Sequence, residues 1–208
     1  MKLSKEDKAL AKLWKRNVEL ALKAEIKGSR WRKSRETLFF VESEYFFYCQ
    51  CFPWQNSKKI EIRLWCKPLG LDPIFWEIFD IPENLKKPLS HRSHAAFKCF
   101  GIQLYQGVLE FTSEQTHEVI TRSVLDYIDE LTNSYIAEKT SIPFDQQLIE
   151  IGAKCSIDLV CAKILGGNLT SAKEIVNHAL QSKIKGQYGV VGSDKSFYDY
   201  AYDWLKTK

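Results

Sequence analysis

Apolar and polar residues alternate from Lys59 to Leu64 within the decapeptide Lys58 to Lys67. Ile60, Ile62, Leu64 and Cys66 fall on one side, and Lys59, Glu61 and Arg63 on the other. Strand side chains repeat every second residue, so this decapeptide reads as a strand with one buried and one wet face, Trp65 projecting from the wet one. Tyr45 to Phe52 is a longer apolar run, Leu38 to Glu42 is aromatic, and Ser29 to Ser34 is short and basic. Glu42-Ser43-Glu44 and Gln55-Asn56-Ser57 supply polar turns between them. Strands joined by short turns must run antiparallel, since parallel neighbours need long crossovers. Ala96 to Tyr105 predicts a further strand with Gly101 at a bulge, and Val108 to Phe111 either extends it or forms an edge.

The helical period brackets these strands. Ser4 with Asp7 three residues on predicts a helix start. Leu10, Leu13, Trp14, Val18, Ala21 and Leu22 then form a Leu/Trp stripe expected to lie on the sheet, and Gly28 marks the stop. Asp72-Pro73 predicts an N-cap followed by proline at the first position of a short helix over residues 74–79. From Thr112 or Ser113 a long helix is expected, with Ile120, Val124, Tyr127, Ile128, Leu131 and Tyr135 on one face. Beyond Pro143, residues 144–154 and 157–165 read as two more helices or one interrupted helix, closed by Gly166-Gly167. Another is capped by Asn168 with Ala172, Ile175, Val176, Ala179 and Leu180 inward. A flexible connection follows over 186–192, and Ser193 caps a last helix carrying Phe197, Tyr198, Ala201, Trp204 and Leu205. The expected fold is α+β: an antiparallel sheet of about five strands, packed by the N-terminal helix and the long helix, with a C-terminal helical subdomain. The expected division is a sheet domain over 1–140 and a helical extension over 141–208.

Composition narrows the class without choosing a chemistry. The 208 residues are 45% hydrophobic and 27% charged, an ordinary globular balance. No apolar run reaches the roughly 18 residues of a membrane span, and the mixed-charge start does not read as an export signal. The six cysteines are expected to be reduced, in a cytoplasmic setting. The net charge of +4 is uneven: residues 1–35 carry 12 Lys/Arg against 4 Asp/Glu, and the rest 18 against 22. Such asymmetry marks either contact with an acidic partner or nucleic acid, or a solvated lysine-rich helix face.

No strong catalytic or ligand motif stands out. His91 and His94 lack a third metal ligand nearby and read as a basic loop. Cys49-Gln50-Cys51 has the wrong spacing for a zinc knuckle and reads as packing. Gly186, Gly189 and Gly192 lack the preceding strand of a dinucleotide loop and read as a linker. Arg122, Asp126 and Glu130 occupy successive turns, where i,i+4 pairing accounts for them. Arg30-Trp31-Arg32-Lys33-Ser34-Arg35 is the best case for nucleic-acid contact, set against a Trp31 that points into the core with its cationic neighbours outward on an edge strand. No catalytic residue, metal or cofactor is assigned.

The order of elements resembles a family of uncharacterised bacterial proteins carrying a domain of unknown function, some of which look like toxin-immunity proteins. The similarity runs through the basic first helix, Trp31-Arg32, the aromatic hairpin around Tyr45 to Trp65, Asp72 to Ile78, His94 to Tyr105, Ile142-Pro143-Phe144 and Gly166-Gly167-Asn168. It implies a cytosolic protein-binding protein, immunity- or antitoxin-like, that occludes a partner without making or breaking a bond. Trp31, Arg32, Trp54, Trp65 and Trp76 are the expected contact residues, because exposed aromatics and arginines anchor such interfaces. Two other readings stay open: a nucleic-acid binder using the first 35 residues, and an enzyme with a pocket near Asp72, His91 and His94.

Overall fold

The computed structural model of the chain describes residues 4–54, 58–112, 114–186, 188 and 194–208. The turn at 55–57, Gly189, Gly192 and the Ser193 cap lie outside the described residues. Strands β1 (Arg32–Ser34), β2 (Thr37–Glu42), β3 (Tyr45–Pro53), β4 (Lys59–Pro68) and β5 (Ile102–Glu110) form one antiparallel sheet in the order β1-β2-β3-β4-β5. With its helices the chain is α+β, and the N-terminal and long helices are both present. Arg32 faces Phe39 across β1 and β2, and Thr37 faces Gln50 across β2 and β3. The β2–β3 turn holds Ser43 and Glu44 at φ values of 50° and 66°. A tight hairpin needs the left-handed region at both central positions, and here neither residue is the favoured Asn or Gly.

Contacts divide the chain into two units. The first joins residues 1–66 with 103–138, the second 67–102 with 139–208. This line differs from the expected one at residue 140: residues 67–102 pack with the C-terminal helices.

In the first unit, α1 (Lys5–Glu25) opens on the expected capping box between Ser4 and Asp7. Gly28, just beyond its end, has φ 85°, where a side chain would be strained. Only Ala11, Val18 and Leu22 of α1 are buried, so the inward stripe is narrower than expected. Helix α4 (His117–Lys139) turns Ile120, Val124, Ile128 and Tyr135 inward. The Tyr135 ring meets Tyr45 and Phe47 of β3 edge-on, each at 5.9 Å. It starts later than expected because the Thr116 hydroxyl, at the cap position, accepts from the Val119 N–H. On β4 the predicted alternation holds over residues 59–66: Ile60, Ile62, Leu64 and Cys66 are buried and Lys59, Glu61, Arg63 and Trp65 are half-buried, while Lys67 beyond them is buried as well.

The second unit holds α2 (Leu71–Ile78), a 3-10 turn (Pro82–Lys86), α3 (His91–His94), α5 (Phe144–Glu150), α6 (Ile157–Leu165), α7 (Leu169–Gln181) and α8 (Phe197–Lys206). Phe75 of α2 and Phe79 at its C-cap pack on Phe197 of α8, each with ring centroids 5.7 Å from it. Small residues Ala172, Val176 and Ala179 let α7 approach its neighbours α6 and α8. Helix α8 opens on a capping box between Ser196 and Asp199.

Two local expectations change. Asp72 is not an N-cap: α2 starts at Leu71, and the carboxylate turns inward from the first turn. Pro73 fits there because N–H groups of the first turn have no helical partner. Residues 96–101 are not strand, and β5 begins at Ile102. The backbone of this stretch bonds to side chains instead of a ladder. Phe97 O accepts from Trp76 Nε1 at 2.8 Å, Lys98 O from the Tyr188 hydroxyl at 2.6 Å, and Cys99 O from Lys67 Nζ at 2.6 Å.

Candidate functional site

The five residues singled out from the sequence fall in different settings. Trp31 is buried, edge-on to Phe40, and its Nε1 donates to Asp129 at 2.9 Å. Arg30 bonds the same carboxylate at 2.8 Å and Glu42 at 3.0 Å. Arg30 and Trp31 of the basic-aromatic segment thus fasten α4 to the chain just before β1, with Asp129 as their shared anchor. Trp76 is also buried, in the second unit, with the Arg92 guanidinium over its ring. Neither indole is available at the surface. Trp65 is half-buried and stacks on Tyr48 at 5.1 Å. Arg32 and Trp54 are exposed. The five do not form one surface patch, for Trp31 and Trp76 are buried.

A different surface emerges on α1. Leu10, Leu13 and Leu20 are 65%, 53% and 55% exposed. With Asn17 and Ala24 they recur at intervals of three and four residues, the spacing of a coiled-coil seam with asparagine in the middle. Lys12, Arg16 and Lys23 line one side of this ridge, Lys27 follows in the turn beyond the helix end, and all four are exposed. The helix therefore carries one apolar stripe inward and a second outward. Arg122 of α4 pairs with Glu25 of α1 at 2.7 Å, instead of serving an i,i+4 ladder on its own helix.

In the second unit, Lys67 and Asp72 form an ion pair with neither side chain exposed. Lys67 Nζ donates to the carboxylate at 2.8 Å, to Cys99 O at 2.6 Å and to Arg92 O at 3.0 Å. Asp72 also accepts from the Cys99 N–H at 2.9 Å and from Arg92 Nη1 at 3.4 Å. Every ammonium hydrogen is thus engaged, so the pair ties residues 90–101 to the start of α2. His91 and His94 occupy a helical turn, not an open loop, with rings 5.8 Å apart. Among the described residues, no three His, Cys, Asp or Glu side chains are gathered to hold a metal ion.

Beside this knot lies a cavity of about 260 Å³. Lys98, Phe100, Asp158, Ile184, Tyr188 and Tyr198 are among its walls. Gly101 places its N–H 3.0 Å from Asp158 Oδ1, and its φ of 82° explains the glycine. Lys98 is only 7% exposed; its ammonium donates to Ser93 O and lies 5.5 Å from the Phe100 ring centroid. Burial and the neighbouring Lys67 charge pull the Lys98 amine down to about 8, against a weaker opposing pull from Asp72. Burial pushes the Asp158 carboxyl up, partly offset by the Gly101 N–H and by Lys67. The Tyr198 hydroxyl donates to Cys155 O, and burial raises it to about 12. An amine and a carboxyl, each biased toward its neutral form, thus line one aromatic-walled space. Neither His91 nor His94 lines it.

Sequence reasoning missed Lys67, Lys98, Asp158, Tyr188 and Tyr198. The one signal was Lys98 standing between Phe97 and Cys99-Phe100, a charge set within an apolar run. No family model, curated protein or solved structure matches the chain.

Proposed function

We propose that the chain is a protein-binding protein that occludes an acidic partner through the outward ridge of α1. The supporting observation is the second apolar stripe of that helix: a helix resting on a sheet needs one such stripe, and this one has two. The partner's chemistry follows from the flank. Lys12, Arg16 and Lys23 border Leu13 and Leu20, so the complementary surface is an amphipathic helix with leucine at its seam and Asp or Glu beside it. A second copy of the chain is a poor occupant, since it would bring the same positive flank against itself. The resemblance to immunity proteins supports masking as the mode of action, and the basic flank suits an acidic target.

The test uses full-length protein and two synthetic helices with leucine seams, one flanked by glutamate and one by lysine. The acidic peptide should bind, the basic one should not, and Leu13→Lys with Leu20→Lys should abolish binding while circular dichroism stays unchanged. Equal binding of both peptides, or indifference to the double substitution, would overturn the proposal. Tighter binding of a duplex oligonucleotide that weakens steeply with salt would point to nucleic acid instead.

A further inference from the structure

The cavity of the second unit plays no part in the α1 surface, and its chemistry is of another kind. Its volume of about 260 Å³ suits a ligand on the order of ten non-hydrogen atoms at ordinary packing density. Phe100, Tyr188 and Tyr198 give it aromatic walls, Ile157 and Ile184 add apolar surface, and Lys98 and Asp158 bring an amine and a carboxyl to the same lining. Phe100 and Tyr188 stack with rings 9° from parallel, which makes one wall flat. Gly186, also in the lining, leaves room beside Tyr198 and Ile157, which a Cβ there would approach within 3.3 and 3.4 Å. Such a space favours a small, largely apolar molecule with one polar group directed at the lysine.

We propose that this cavity is a carbonyl-binding site, in which Lys98 Nζ adds to a small aldehyde or ketone to form an imine. The neutral amine donates its lone pair to the carbonyl carbon and a C–N bond forms. The C=O π electrons move to oxygen, which takes up a proton, and nitrogen loses one. Loss of the hydroxyl with a second proton releases water as nitrogen forms the C=N bond. The net reaction is amine plus carbonyl to imine plus water, with no oxidant or reductant consumed. Asp158 lines the same cavity and supplies an acid able to hold and return the proton. Burial and the adjacent Lys67 ammonium favour the neutral amine that the addition needs.

The test incubates the full-length protein with benzaldehyde and cyanoborohydride at pH 7, and maps the modified lysines by peptide mass spectrometry. At that pH an amine titrating at about 8 is neutral on the order of a hundred times more often than one at 10.5. Lys98 should therefore be modified at least tenfold faster than any exposed lysine, with a rate that climbs through about pH 8. Ile184→Trp, which narrows the cavity and leaves Lys98 in place, should slow that modification tenfold or more while the circular dichroism is kept. Modification spread over exposed lysines with Lys98 unmarked would overturn the proposal, as would an undiminished Lys98 rate in the Ile184→Trp protein.

Discussion

Lys67 Nζ lies 2.8 Å from the Asp72 carboxylate, and both side chains are wholly shielded from water. Removing one partner of such a pair strands the other as an uncompensated buried charge, at a cost of about 3–5 kcal/mol. Asp72→Asn should lose stability on that scale in urea denaturation. Lys67→Met combined with Asp72→Leu should recover much of it, because no lone charge then remains. A single substitution that costs less than about 1 kcal/mol would mean that water reaches the pair.

Lys98 gives stability a pH dependence whose sign is opposite to that of a paired lysine. The unfolded amine titrates near 10.5 and the folded one at about 8, so between those values the unfolded chain binds more protons. Stability contributed by this group therefore rises with pH across that window. Below pH 8 the full penalty applies, roughly 3 kcal/mol. Compared with Lys98→Met, the wild type should gain on that order between pH 7 and 10.5, read as the change in the gap between the two denaturation curves.

The two stripes of α1 should respond differently to truncation. Val18→Ala and Leu22→Ala empty buried positions and should cost about 1–4 kcal/mol. Leu13→Ala and Leu20→Ala alter exposed positions and should stay within about 0.5 kcal/mol. Thermal melts of the four proteins suffice. A large loss at Leu13 would place the outward ridge in the fold's own core.

Trp65 stacks on Tyr48, itself buried, so Trp65 is part of the cover over an aromatic layer of β3. Trp65→Ala should lower stability by about 1–2 kcal/mol, the stack adding to the lost apolar burial. A melting temperature unchanged by the substitution would show the indole to be a purely external group.

The β2–β3 turn offers a gain instead of a loss. Glu44 is exposed and held at φ 66°, a region that costs a residue with a Cβ about 1 kcal/mol. Glu44→Gly should raise stability by about that amount in equilibrium unfolding. A loss would mean that the Glu44 side chain makes a contact worth more than the strain.

The sheet and its covering helices were legible because their signals are local. The alternation from Lys59 to Cys66 and the Ser4–Asp7 box each depend on residues close in sequence. What stayed hidden depends on distant segments. Asp72 looked like a cap because Asp-Pro commonly is one, and only Lys67 and Cys99 together turn it inward. The cavity draws Lys98, Asp158, Tyr188 and Tyr198 from three stretches of chain, and no spacing rule links them. The outward ridge of α1 was read as a single stripe with the inward one. Both fit a helical period, and burial alone separates Leu13 from Val18.

The chain passes from the first unit to the second after residue 66, returns at 103 and leaves again at 139. During synthesis, β1 to β4 emerge well before β5 and α4, so the sheet waits for its fifth strand while the intervening stretch is made. Neither unit can be cloned as one uninterrupted fragment. Any single proteolytic nick within residues 67–102 leaves the first unit in two pieces that only non-covalent contacts can hold together.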